Sequence, residues 1–330
     1  GYRPTDVAVF YRTNAQSRSV EEVFIRMGMP YKVVGGVRFY ERREVRDALA
    51  YLRAIANPGD EVSLRRILNV PKRGIGDRAE SAVEAFAERE RITFDQALRR
   101  AGEIPGLATR SLNSVEGFAR MMEDLRTLAE SGADAPTVLQ AALEQSGYVA
   151  ELQASHDPQD ETRVENLAEL ESVAQEFATA NEGSTLVEFL EQVSLVADSD
   201  EIPDHDDASG VVTLMTLHTA KGLEFPVVFL TGMEDGIFPH VRSMGDPAEL
   251  AEERRLAYVG LTRARQRLYV SRSVSRSAWG TPAYNPPSRF LAEIPEELVN
   301  WRREEPVSRP IGSGGFGSAP ASSSAAVKLG

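Results

Sequence analysis

The chain has no cysteine among its 330 residues. This excludes a disulfide framework, a thiolate-held metal and a cysteine nucleophile, and it agrees with a reducing, cytoplasmic setting. No apolar run approaches the ~18 residues of a membrane-spanning helix, and the N-terminus lacks the charged-then-apolar pattern of a signal peptide. Lysine is nearly absent: Lys32, Lys72, Lys221 and Lys328 are the only four, so arginine carries almost all the positive charge. No Gly-Lys pair occurs anywhere. A Walker-type phosphate loop needs Gly-Lys-Ser/Thr after a glycine-rich turn, so none lies within these residues. The acidic pairs Asp60-Glu61, Asp160-Glu161 and Asp200-Glu201 sit in polar stretches, not at the end of a buried strand, and none reads as a magnesium-holding motif.

What is present is unevenly distributed. The net charge is −13, from 50 acidic and 37 basic residues. Between Glu151 and Ala208 stand 17 acidic residues and a single basic one, Arg163, leaving 33 acidic and 36 basic residues elsewhere. One acidic block therefore sets the sign of the whole chain, and the remainder is compatible with an anionic partner. The block itself reads either as a solvated face that keeps nucleic acid off one side, or as a surface that docks a protein.

Periodicity divides the chain into stretches of different grammar. Val7–Tyr11 and Tyr31–Val34 read as short buried strands. A helix is expected from about Ser19, where Ser19 and Glu22 form a capping-box pattern, and Gly28 supplies its stop. A second helix is expected from about Arg43 to Asn57. Strand, helix, strand, helix is the grammar of a parallel α/β sheet. From 60 to 208 the pattern is helical throughout, with helices expected over 79–90, 93–101, 114–129, 136–145, 163–179 and 185–197. Near-continuous apolar runs at 211–217 and 227–230 then suit central parallel strands. A charged helix is expected over 252–265 and a last strand over 268–271. The Gly/Ser/Ala/Pro-rich stretch beyond Pro306 reads as a flexible tail. The expectation is one α/β domain built from residues 1–58 and 209–300, interrupted by an all-helical insertion at 59–208 and followed by a tail at 301–330. Because Gly1-Tyr2-Arg3-Pro4 leads almost directly into a strand, the chain reads as cut from something longer.

Three segments carry more polar chemistry than a fold requires. His218, Lys221 and Glu224 follow a buried strand, where open α/β sheets bind ligands. The 252–265 segment is rich in arginine, and an arginine there suits stabilisation of a transferring phosphoryl group as well as it suits an ordinary charged helix face. Arg12-Thr13-Asn14, after the first strand, is suited to a phosphate backbone or to a hydrogen-bonded turn.

Taken together, YRTNAQSR, NVPKRGIG, TLHTAKGLEFPVVFLTGMEDGIFPH and EERRLAYVGLTRAR resemble, in order and spacing, the C-terminal motifs of superfamily 1 DNA helicases of the UvrD/PcrA group. The resemblance extends over roughly residues 3–295. It implies a RecA-like second motor domain, of the P-loop NTPase fold, interrupted by the helical subdomain called 2B. Arg263 matches the family's arginine finger, and Glu224 the residue that contacts the nucleotide ribose. Lys221 and Gly222 belong to the same ATP-binding loop. Arg12, Asn14, His218 and His240 match positions that touch single-stranded DNA, and Trp279 an aromatic that stacks near a base, an interaction worth ~1–3 kcal/mol per base. Gly74-Ile75-Gly76 resembles a loop that holds duplex phosphates, although a simple tight turn explains it as well.

The resemblance further implies ATP and Mg2+ as cofactors of the complete enzyme, neither held by this chain alone, and no metal site in it. The partners it implies are single-stranded DNA, single/double-strand junctions and an N-terminal motor domain, in DNA repair or replication, with 3′ to 5′ translocation. Repair or transcription proteins would dock through the helical insertion or tail. The isolated chain is expected not to hydrolyse ATP. The alternative is a non-catalytic regulatory module that binds DNA or protein.

Overall fold

The computed structural model describes residues 1–198, 210–278 and 281–302. Residues 1–293 form one compact unit. Its sheet comprises β1 (Val7–Tyr11), β2 (Tyr31–Val34), β3 (Val212–Thr216), β4 (Phe225–Leu230) and β5 (Ala264–Val270), in the order β2-β3-β1-β4-β5 with every neighbour parallel. A short antiparallel ribbon, β6 (Arg276–Ala278) with β7 (Thr281–Ala283), lies apart from it. The apolar run of β1 is explained by its central place, since a strand flanked by β3 and β4 must bury both faces.

One face of the sheet, through Val9, Tyr11, Tyr31, Val212 and Leu214, packs against Val20, Phe24 and Ile25 of α1 (Ser17–Met27). This helix begins at Ser17, and the Ser19/Glu22 box does not form. Thr13 and Gln16 instead cap a 3-10 turn, Asn14–Gln16, that runs straight into the helix. Glu22 is drawn elsewhere, to Arg18 at 3.1 Å and the Tyr40 hydroxyl at 2.9 Å. Gly28 closes α1 at φ 63, a conformation glycine adopts without penalty.

The helical body holds α2 (Arg43–Ala56), α3 (Glu61–Ile67), α4 (Asp77–Glu90), α5 (Phe94–Arg99), α6 (Thr109–Glu130), α7 (Ala135–Ser146), α8 (Tyr148–Ala154), α9 (Pro158–Ala180) and α10 (Leu186–Asp198). α3 and α8 lie where no helix was expected. The buried face of α2, from Val45 to Ile55, belongs to the helical core together with Leu64, Phe118, Leu139 and Leu170, and contributes nothing to the two sheet cores. Hydrophobic packing therefore changes partner near Phe39, some way before residue 58.

The second sheet face, through Ala8, Phe10, Met215, Val228 and Leu230, is covered by Ala257 and, at its margin, by Leu250, Leu256 and Leu261 of α11 (Pro247–Leu261). At Gly260 a Cβ would meet Leu217 Cδ2 at 2.5 Å, so a larger residue there would force the buried Leu217 side chain to shift or the helix to move outward. The expected helix over 252–265 is displaced. Asp246 caps α11 well before Glu252, accepting from the Ala248 N–H at 2.7 Å, and Arg265 belongs to β5. No described helix is long and apolar enough to cross a membrane. The described part of the second unit, from Ile294, contains a 3-10 turn, Glu296–Leu298. The tail expected at 301–330 falls almost wholly outside the described residues, as does the end of the acidic block at 199–208.

Candidate nucleotide and nucleic-acid sites

All five strands run the same way, so the sheet has one carboxyl edge and one amino edge, and the predicted site residues divide between them. At the carboxyl edge, Arg12 follows β1 and His218 follows β3. The bond from Leu217 N–H to the Tyr11 carbonyl, at 2.9 Å, keeps these two loops together. Arg12 makes a forked contact with Glu253 of α11, Nε at 2.9 Å and Nη2 at 2.7 Å from Oε1. The other oxygen of Glu253 accepts the backbone N–H of His240 at 3.0 Å, so one buried carboxylate fixes two predicted DNA contacts. Asn14 opens the 3-10 turn beside them, where Gln16 Oε1 accepts the N–H groups of Arg12 and Thr13, both at 2.9 Å. Partial burial, reinforced by the Arg12 cation, holds the His218 pKa below its ordinary value of 6.5. The His240 ring does not face open solvent alone: its Nε2 lies 3.0 Å from Glu165 Oε1 on α9.

At the amino edge stand Glu224, just before β4, and Arg263, just before β5. The Phe225 N–H donates to the Arg263 carbonyl at 3.1 Å, which brings the two together. Lys221, Gly222 and Glu224 are exposed, and Gly222 adopts φ 86. The Arg263 guanidinium folds back on its own helix end, donating to the Val259 carbonyl at 3.1 Å and to Thr262 Oγ1 at 3.0 Å. His218 and Glu224 share one short loop yet serve opposite edges, since that loop crosses from the end of β3 to the start of β4. The sequence alone presents them as a single cluster.

Gly74-Ile75-Gly76 lies in the helical body at the start of α4. Ile75 is buried at 2% exposure and anchors the loop in the core. Asn69 Oδ1 accepts the N–H groups of Arg73 at 2.8 Å and Ile75 at 3.3 Å. Arg73 tucks under the loop, donating to the Ile67 carbonyl at 3.0 Å and lying against the rings of Tyr51 and Phe118. Gly74 takes φ 80, and nothing stands within 4 Å of a Cβ position at Gly76, so the outer face of the loop is backbone in open space. Trp279 lies outside the described residues.

The two edges differ in what they can bind. The amino edge offers a cation, an ammonium and a carboxylate to the periphery of a nucleotide. No group of three or more His, Asp or Glu side chains that could hold a metal ion is gathered among the described residues. Glu253 and Glu165 are not evident from the sequence, because nothing in a charged helix says which carboxylate turns inward, and Arg242 lies just outside the motifs that carry the resemblance.

A parallel sheet with a helical insertion, carrying these motifs at its two edges, defines the C-terminal part of a UvrD-type helicase, and the chain belongs to the family of UvrD-like helicase C-terminal domains, which it matches over residues 2–275. It is 59% identical to the ATP-dependent DNA helicase UvrD1 of Mycobacterium tuberculosis, over 95% of this chain and 43% of that protein. The UvrD1 of Mycobacterium leprae is 54% identical over 90% of the chain and 40% of its own length. The ATP-dependent DNA helicase PcrA of Bacillus subtilis is 42% identical over 93% and 44%. The chain thus spans less than half the length of these relatives.

Proposed function

We propose that this chain is the C-terminal portion of an ATP-dependent 3′ to 5′ DNA helicase of the cytoplasm, acting in DNA repair or replication. It comprises a second RecA-like motor domain and an inserted 2B subdomain. The observation that supports the reading best is the division of the sheet: Glu224 and Arg263 at one edge, and Arg12, Asn14, His218 and His240 at the other. A motor needs a nucleotide face and a DNA face joined by something stiff, and a buried parallel sheet is stiff. Arg263 is the arginine finger: released from Val259 and Thr262, it reaches the γ-phosphate of an ATP held mainly by an N-terminal motor domain. Glu224 holds the ribose, while Lys221 and Gly222 line the same contact. Mg2+, bound with ATP in the complete enzyme, neutralises phosphate charge. Arg12, Asn14, His218, His240 and Trp279 line the single strand, and the Gly74-Ile75-Gly76 loop, anchored by buried Ile75, holds duplex phosphates at a junction through the exposed backbone of Gly74 and Gly76.

Hydrolysis requires phosphates, metal, water and finger held together. With no Gly-Lys pair in the sequence, this chain alone is expected to show no DNA-stimulated ATPase. Mixed with a Walker-containing N-terminal half it should gain turnover, and Arg263→Ala should remove roughly 10³-fold or more of that. Arg263-dependent turnover by the chain alone would overturn the half-site reading. The acidic block does not favour the alternative of a protein-docking module, because several of its carboxylates are engaged inside the molecule.

A further inference from the structure

The carboxylates of α9 run directly into the candidate DNA edge. Glu161, Glu165, Glu169 and Glu176 recur at helical spacing and project as one stripe. Three basic side chains of the sheet body face it. Arg242 pairs with Glu161, the His240 ring bonds Glu165, and Arg18 bonds Glu169 at 2.5 Å and Glu176 at 3.3 Å.

The two ends of this seam differ in character. Arg18 is 6% exposed and is also held by Glu22. Burial opposes its charge, but the surrounding carboxylates outweigh burial and hold its pKa above the usual range, so this end stays closed. At the other end the side chains of Arg242 and Glu161 are 51% and 54% exposed, and such a pair is readily exchanged. A phosphate oxygen makes the same charge-assisted bond to a guanidinium or imidazole as a carboxylate does.

We propose that Arg242 is a phosphodiester-binding residue beside His240, and that Glu161 and Glu165 are a built-in competitor that single-stranded DNA must displace from these two side chains. The inference rests on the DNA-binding reading of this edge. It adds Arg242 to the track and makes α9 a limit on affinity. It requires side-chain exchange at the open Arg242–Glu161 end and at the neighbouring His240–Glu165 pair, whose side chains are only 18% and 28% exposed. It also assigns a use to part of the acidic block, whose carboxylates stand in for phosphate when no strand is present. An arginine already neutralised by its own carboxylate releases fewer counterions from DNA, so the seam should flatten the salt dependence of binding.

The test is the affinity for fluorescently labelled oligo-dT, read by anisotropy between about 50 and 200 mM salt. The protein would be compared with E161Q/E165Q, with a charge-matched control, E182Q/E191Q, at exposed carboxylates outside the seam, and with E161Q/E165Q/R242Q. The seam variant should bind roughly 2–5-fold tighter than the control at low salt, the range set by an exposed ion pair. Its salt slope should steepen by about 0.7, the contribution of one freed cation on a single strand. Adding R242Q should remove both effects. A seam variant no tighter than the control, or a gain that survives R242Q, would overturn this inference alone. No binding by the parent protein or any variant would overturn the DNA reading, and this inference with it.

Discussion

Glu171 illustrates how much a single carboxylate on α9 depends on where it points. It is 6% exposed, and its Oε2 has no hydrogen-bond partner among the described residues. Burial raises its pKa above the ordinary 4.5. Between 4.5 and the raised value, the folded protein holds a proton that the unfolded chain has released, so stability falls as pH rises through that window. Glu171→Gln removes the ionisation but keeps the shape. The variant should gain stability relative to the parent at pH 8 and lose most of that advantage at pH 4, as measured by urea unfolding at the two pH values. An equal difference at both would show that ionisation of Glu171 is not what costs stability. Glu253 is the opposite case, since its buried carboxylate is fully occupied by Arg12 and the His240 N–H.

Among the elements, α2 is deeply packed, with Val45, Ala48, Tyr51, Leu52 and Ala54 fully buried. Leu52 is fully buried in the helical core, whereas Val62 on α3 is 82% exposed. Leu52→Ala should cost ~2–5 kcal/mol, lost transfer plus cavity, and Val62→Ala should stay within about 0.5 kcal/mol. Denaturant titration compares them, and a small effect at Leu52 would mean that α2 is not the hub of the body. The helical character of α2 was legible from its apolar spacing, but its partner was not. An amphipathic face says that something covers it and does not say what, so sequence order alone assigns α2 to the sheet it follows. Helix starts were misplaced for a different reason. Asp157-Pro158 and Asp246-Pro247 both carry a capping side chain followed by proline at the first helical position. Apolar periodicity begins only later in both helices, so a reading led by periodicity starts them about a turn too late. The central strands were legible because burial on both faces leaves an uninterrupted apolar run. The separation of His218 from Glu224 was not, because it depends on the direction in which β4 runs.

In the molecule as a whole, the helical core and the two sheet cores share no residue. What joins them includes a polar seam whose buried centre is Arg42. Its guanidinium donates to Asn166 Oδ1 on α9 at 2.8 Å and to Ser17 Oγ on α1 at 2.7 Å, and Glu21 lies 3.8 Å away. Asn166 in turn donates to Glu44 at the start of α2. Arg42 is 6% exposed and Glu21 3%, so neither can turn to water if the other is removed. Arg42→Leu keeps much of the volume but leaves Glu21 and Asn166 buried with fewer partners, and a buried charge deprived of its partner typically costs about 3–5 kcal/mol. That loss falls on the junction and spares the interior of either body. The parent protein should therefore lose amide protection in β1 and β3 and in α2 and α7 over the same range of urea. In Arg42→Leu, hydrogen exchange read by mass spectrometry should separate the two sets, because each body keeps an intact apolar core while the contact that makes them unfold together is weakened. If both sets still lose protection at one shared, lower urea concentration, Arg42 stabilises the molecule without coupling its two bodies.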